Sequence, residues 1–262
     1  MTLPLYLGVH AAIILGAMFA LWLASLRLRD ASIVDIFWGF GFVVVAWTGF
    51  ALAGHEGPGP RPLLLTALVT VWGLRLTVYL AWRNLGKGED HRYQAMRERF
   101  GPRFGLISLP LVFLLQGLLI LVVSLPIQWS HAHHGPATLG VLDALGLASF
   151  ALGFAFESVG DWQLARFKAD PANRGRVMDR GLWRYTRHPN YFGDFMVWWG
   201  LFLVAAATGQ ATWTVLGPVV MSVLLLRVSG VTLLEASLRR RRPAYADYVR
   251  RTSAFVPWPP KG

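Results

Sequence analysis

The sequence predicts an all-α integral membrane bundle of seven transmembrane helices, with the N-terminus outside, the C-terminus cytoplasmic and a single domain over residues 1–262. Three observations predict it. The chain is 55% hydrophobic and only 15% charged, where a soluble domain carries roughly 25% charged residues. Apolar runs lie near residues 3–26, 33–53, 63–82, 106–127, 138–160, 191–208 and 211–230, each close to the ~20 residues that cross a hydrocarbon core. With the loops placed in alternation, nearly all Lys and Arg fall on one side. That asymmetry is the positive-inside rule, and it sets the orientation.

The first run opens on Met1, Thr2, Leu3 and Pro4 with no basic segment and closes on Arg27 and Arg29. This marks a retained helix and not a cleaved signal peptide. The second run carries Asp35 and leads to a short outer loop at 54–62, where Arg61 is the one cation on the opposite side. The third carries Trp72, Arg75 and Tyr79, followed inside by Arg83, Lys87, Arg92, Arg97, Arg99 and Arg103. Beyond the fourth run, the outer loop at 128–136 holds His131, His133 and His134. Imidazoles can bind a metal, but no carboxylate supports them, and a polar loop is the simpler reading.

The fifth run carries Glu157 and Asp161, with Arg166, Lys168, Arg174, Arg176, Arg180, Arg184 and Arg187 after it. The sixth holds Asn190, Asp194 and Trp198, and the seventh leads through Arg227 to Glu235. Basic residues 239–242 read as an anchor to anionic headgroups. Many of the twelve Trp, such as Trp47 and Trp129, lie near run ends and read as interfacial belt residues. Trp198 and Trp199 fit a cavity wall instead.

Several classes are excluded. No cysteine is present, which removes disulfides, thiolate nucleophiles and Cys-ligated metals. The net charge of +11 follows from orientation and does not call for nucleic acid. Neither a P-loop nor a Gly-x-Gly-x-x-Gly turn between strand and helix occurs.

The informative residues are ionisable groups within the apolar runs or at their inner ends: Asp35, Arg75, Glu157, Asp161, Asp194, Arg227 and Glu235. At the bilayer centre each costs roughly 2.5–3.5 kcal/mol on insertion scales. Structural pairing near the interface explains any one of them. The set is better explained by a polar cavity inside the bundle. Glu157, Asp161 and Lys168 recur at helical spacing, as do Asn190, Asp194 and Trp198. A cytosolic mouth rimmed by Lys87, Arg166, Lys168, Arg176 and Arg187 favours a polyanion, since low-dielectric walls focus the field. Arg matches phosphate bidentately, but this chemistry does not by itself name the ligand.

The box Arg187-His188-Pro189-Asn190-Tyr191-Phe192-Gly193-Asp194 and the tail Tyr245, Tyr248, Phe255, Val256 and Pro257 resemble the bacterial membrane proteins of the DUF1295 group. That group lies within the steroid 5-alpha-reductase-like superfamily, and the likeness runs from Asp35 to Trp258. It implies a bacterial inner-membrane enzyme that uses NADPH to reduce a carbon–carbon double bond in a steroid-like or other lipid. By the same resemblance Arg75, Tyr79, Asn84 and Lys87 contact the cofactor from the third helix and its loop. Glu157, Asp161, Lys168, Arg176 and Arg187 surround the adenosine and phosphate end, joined by Asn190, Asp194, Arg227 and Glu235.

Departures from the pattern fall at the proton donor. Steroid-reducing relatives place a Tyr on the third helix and a Gln-Glu pair on the second; here Trp72 takes the Tyr position and the pair is absent. An indole N–H donates a hydrogen bond but does not deliver a proton as a phenol does, so Asp35, Tyr79 or a water is left to protonate the product. Arg187-His188-Pro189 also resembles the signature of membrane methyltransferases that use S-adenosylmethionine on isoprenylcysteine or phospholipids. A third alternative is a non-catalytic lipid-binding or scaffold role.

The topology is testable because the chain lacks cysteine. Single cysteines at Lys87, Arg176 or Arg241 should react with an impermeant thiol reagent only after the membrane is opened, and one at His133 should react in intact cells. Labelling of Lys87→Cys from outside overturns the orientation.

Overall fold

The computed structural model describes residues 3–52, 59–133, 135–228 and 245–261. His134, Glu235 and residues 239–242 lie outside them. The described residues form helices and no strand, with one isolated bridge between Thr186 and Ser253. Every apolar run is helical over most of its described length. Five helical stretches are long and apolar enough to cross a membrane: Leu3–Leu28, Ile33–Leu52, Pro60–Asn84, His91–Val123 and Val141–Ala169. The other two runs form shorter helical stretches, Pro189–Ala206 and Thr212–Val228.

By their contacts the residues divide into two compact units, Met1–Gly140 with Ala205–Leu216, and Val141–Val204 with Gly217–Gly262. The first unit contains α1 (Leu3–Leu28), α2 (Ile33–Leu52), α3 (Pro60–Asn84), α4 (His91–Phe100), α5 (Phe104–Ser108), α6 (Leu115–Val123) and α7 (Leu125–Ala132). Helix α2 is its core, burying Phe42, Val43, Val45 and Ala46. It packs on α3 at Gly39 and Gly73, where a Cβ on either residue would fall 2.5–2.6 Å from the other's carbonyl oxygen. Backbones that close require glycine on both sides.

Between α5 and α6 the chain forms a π-helical turn, Leu109–Leu114. It contains Pro110, which has no backbone N–H to give the regular ladder. Arg61, the cation expected alone on the outer side, is buried. Its guanidinium donates to the carbonyls of Pro136 at 2.5 Å and Thr138 at 2.6 Å. This cation braces a loop.

Large apolar side chains stay exposed along the outer faces, among them Phe19 and Leu23 on α1 and Val78 and Trp82 on α3. Water would drive such faces to aggregate; lipid tails solvate them.

The second unit contains α8 (Val141–Ala169), α9 (Pro189–Ala206), α10 (Leu216–Val223), a π-helical turn at Leu224–Val228, and α11 (Tyr245–Arg251). Helix α8 runs past the apolar run near residue 160, as the helical spacing of Lys168 with Glu157 and Asp161 expects, and Arg166 and Lys168 can carry their charge outward on long stems. Glycines at heptad intervals join α8 to α9. A Cβ on Gly146 would meet the Gly200 carbonyl at 2.7 Å, and one on Gly153 would meet that of Gly193 at 2.5 Å. At Gly160 the neighbours are Asn190 and Pro189. The pairing 146 with 200, 153 with 193 and 160 with 190 makes the two helices antiparallel.

In lipid, helix association relies on close packing of small residues, and here the opposing atoms are backbone that cannot step aside. Overpacking a core costs about 1–3 kcal/mol where side chains can yield, so Gly153→Leu should cost at least that. The variant should melt several degrees lower in detergent or fail to fold, while Gly8→Leu, with open space around the added carbon, should melt like the parent. Equal melting of both variants overturns this packing.

Candidate functional site

The glycine contact brings the expected polar residues of α8 and α9 together. Glu157 and Asp161 are buried on α8, one turn apart. The Asn190 side-chain amide donates to Asp161 at 3.1 Å. A Cβ on Gly193 would lie 2.4 Å from the Glu157 amide nitrogen, so Asp194, the next residue, starts from the level of Glu157. Four of the expected residues thus share one level of the second unit.

Toward the C-terminal end of α8 lies a cavity of about 510 Å³, in the roughly 300–1,000 Å³ range of small-molecule sites. Lys168, Arg174, Arg176 and Arg187 line it, with Asp170 as its carboxylate, and Phe167, Trp183, His188, Tyr245 and Tyr248 form aromatic wall. Of the residues expected at the cofactor, Lys168, Arg176 and Arg187 reach this cavity. Its lining on α8 starts at Leu164, one turn from Asp161.

The loop before α9 is held locally. Gly181 has a φ of +59° and sits against the Gln163 side chain, whose carbonyl oxygen accepts from the Leu182 amide at 3.0 Å. The Trp183 indole donates to the Gly160 carbonyl at 3.0 Å, and the Tyr248 hydroxyl donates to the Trp183 carbonyl. Arg187 is buried, and its guanidinium donates to the carbonyls of Thr252 at 2.6 Å and Val249 at 3.1 Å. It therefore ties α11 to the cavity as well as adding charge. The His188 ring stacks on Tyr191 at 5.4 Å. Trp198 is buried in this unit, and Trp199 donates to the Ser222 hydroxyl at 3.2 Å. Arg227 lies exposed in the π-helical turn.

In the first unit Asp35 is bound on both oxygens. One accepts from Arg92 at 2.6 Å, the other from the Tyr93 hydroxyl at 2.7 Å and from Gln116 at 3.3 Å. Asp90 caps α4 by accepting from the Arg92 amide and side chain, both at 2.9 Å. Glu89 takes two bonds from Arg97, at 2.8 and 2.9 Å, and one from the Ala31 amide at 2.8 Å. Burial pushes both carboxyls up, but these bonds and the Arg charges outweigh it and hold both below the usual carboxylate range.

Trp72 is fully buried, with its ring edge-on to Phe42 at 5.7 Å. Arg75 and Arg83 stand 6.0 and 5.6 Å from the centre of the Tyr79 ring. Asn84 accepts from Arg83 at 3.0 Å, and the Lys87 ammonium donates to the Arg83 carbonyl near the end of α3. The polar loop expected at 128–136 is helical through Ala132: His131 is buried on α7, where its ring bonds the Ile127 carbonyl and Thr66, and His133 stacks on Trp129 at 3.5 Å. Among the described residues no three His, Asp or Glu gather as a metal set.

Reading along the chain missed Tyr93 and Gln116 around Asp35, and the aromatic walls from Phe167, Trp183, Tyr245 and Tyr248. Tyr245 and Tyr248 did carry a signal, since they belong to the tail motif quoted above. Nothing in their spacing tells which cavity they face.

A curated protein of Schizosaccharomyces pombe, "Uncharacterized protein C594.04c", is 24% identical in an alignment that covers 98% of this chain and 80% of that protein. No solved structure matches. A family model described as "Protein of unknown function (DUF1295)" matches residues 21–252. That span reaches from within α1 to the end of α11 and takes in both the α8–α9 polar cluster and the basic aromatic cavity, and the chain belongs to the DUF1295 family.

Proposed function

We propose that the protein is an NADPH-dependent oxidoreductase that reduces a carbon–carbon double bond in an apolar, enone-type lipid or steroid-like substrate. In this reading seven helices cross the bacterial inner membrane as one functional domain, with the cofactor mouth on the cytoplasmic side. One observation carries it: the cavity of the second unit sets four cations against one carboxylate on a largely aromatic wall. Phosphates suit the cations, and an adenine suits the aromatic faces.

Length supports a dinucleotide. Lys168 and Glu157 lie eleven residues apart on α8, which at 1.5 Å per residue is roughly 16 Å. A ligand with its phosphates near Lys168 and Arg176 has to be elongated to reach the buried Glu157, Asp161, Asn190 and Asp194. When bound, the cofactor would supply the hydride. The chain's own residues would bind its phosphates, orient its far end by hydrogen bonds from Asn190, and exclude water. For protonation the resemblance left Asp35, Tyr79 or water. Asp35 is occupied as an acceptor, so the Tyr93 phenol at its side joins those candidates.

One observation favours a second reading. Aromatic faces also attract a sulfonium, so Trp183, Tyr245 and Tyr248 fit S-adenosylmethionine and a methyltransferase. The cations speak against it, because that ligand is positive at sulfur and offers no phosphate.

Melting in detergent separates the readings. A ligand bound only to the folded chain stabilises it by about 2.7 kcal/mol at a hundredfold excess over its dissociation constant. The expected order of melting shifts is NADPH above NADH, with S-adenosylmethionine giving little. Lys168→Ala or Arg176→Ala should shrink the NADPH shift, as should high salt. Asp194→Asn should leave the unliganded melting temperature near the parent's while weakening the NADPH shift. A shift with S-adenosylmethionine alone overturns the reductase reading in favour of the methyltransferase.

A further inference from the structure

The C-terminal tail of the second unit gathers charge for which the reductase reading has no use. After α11 the chain folds back along the loop that precedes α9. The Arg187 amide donates to the Ser253 carbonyl at 2.9 Å, and the Thr186 hydroxyl donates to Phe255 at 2.8 Å. The Trp258 amide donates to Tyr185, and the Lys261 amide to Arg251, each at 2.9 Å. Tail and loop are stitched at three points and the tail is tied to α11 at a fourth, so the side chains between them are carried on fixed backbone.

Those side chains are mostly cations. A cleft of about 580 Å³ is walled by Arg180, Arg184, Arg251 and Lys261, with Asp179 as the one carboxylate among the described residues that line it. Arg251 comes no closer than 3.9 Å to Asp179, beyond hydrogen-bond reach. A second cleft of about 270 Å³ shares Arg251 and Lys261 and adds Arg250 and Trp258. Like charges confined in one concavity repel, and an anion bound there relieves the repulsion. Guanidinium forks and an ammonium are the groups that match phosphate oxygens.

The surroundings select the source of that phosphate. Trp258 is 68% exposed and Tyr185 43% exposed, and a backbone bond joins their main chains. In a membrane protein, exposed aromatic rings beside cations sit at headgroup level, the rings toward the acyl region and the charges toward the phosphates. A free phosphate would find the cations but make no use of the exposed indole.

We propose that this cleft is a headgroup site for an anionic phospholipid, its phosphate held by Arg184, Arg251 and Lys261 and its upper acyl region packed beside Trp258. The site is separate from the proposed cofactor cavity, and the inference requires only that the chain is membrane-embedded, not that it is a reductase.

The full chain in uncharged detergent, titrated with phosphatidylglycerol, phosphatidylcholine or inorganic phosphate, tests this by melting temperature. Phosphatidylglycerol should raise it, and the other two at equal concentration should not. The triple variant Arg184→Gln, Arg251→Gln, Lys261→Gln should weaken phosphatidylglycerol binding on the order of a hundredfold, at the usual contribution of each cation near anionic headgroups. It should keep the parent's response to NADPH, whatever that response is, so failure here and failure of the reductase reading are separate results. Asp179→Asn, an exposed and nearly isosteric change, should tighten phosphatidylglycerol binding and decides the matter if the triple variant does not fold. An unchanged phosphatidylglycerol response in either variant overturns the lipid site, and an equal shift with inorganic phosphate assigns the cleft to small anions instead.

Discussion

The backbone contact between α8 and α9 is the constraint on which the second unit depends. Gly146, Gly153 and Gly160 on one helix and Gly193 and Gly200 on the other remove every side chain that would hold the axes apart. Lipid tails provide no hydrophobic drive to press helices together, so the contact has to come from close packing itself. Its consequences run outward. At this separation Asn190 reaches Asp161, and Gly160 both admits Pro189 and gives its carbonyl to Trp183. The same glycine therefore fixes where α9 begins and where a wall of the basic cavity stands.

Charge is the second constraint, and the chain meets it in three ways. Arg61 and Arg187 are buried and donate to backbone carbonyls, which satisfies donors that burial would otherwise leave costly. Asp35, Arg92, Tyr93 and Gln116 form a closed network across α2, α4 and α6. Lys168, Arg174 and Arg176 stay exposed at a cavity rim. The first two arrangements join pieces of the fold. The third places charge beside the cavity, where Arg187 lines the wall and also ties α11.

What was legible in the sequence is what depends on local pattern. Uninterrupted apolar runs of about twenty residues give helices regardless of their neighbours, and the helical register of Glu157 with Asp161 places both on one face. Hydropathy alone hides the end of α8, since the apolar run stops near residue 160 while the helix continues to Ala169; the helical spacing of Lys168 with Asp161 is what carries it on. The partners of Asp35 were not legible at all, because Tyr93 and Gln116 lie 58 and 81 residues away and no periodicity links them. The glycine stripe was in plain view at seven-residue spacing. Its meaning needs two helices, because a stripe of small residues says nothing until a second stripe is known to face it.

Helix α11 gives the second unit a common wall. Tyr248 lines both the basic aromatic cavity and the cationic cleft of the tail, and its hydroxyl is tied to the Trp183 carbonyl. A shared wall does not by itself couple two sites; coupling requires an element with two arrangements that each ligand favours differently. Here α11 is held by Arg187 on the Val249 and Thr252 carbonyls and by Lys261 on Arg251, and those bonds favour a single arrangement. The two proposed phosphate sites thus lie on either side of one bonded wall. The cations of the cleft, set on exposed side chains beyond it, can change without moving the aromatic wall that faces the cavity.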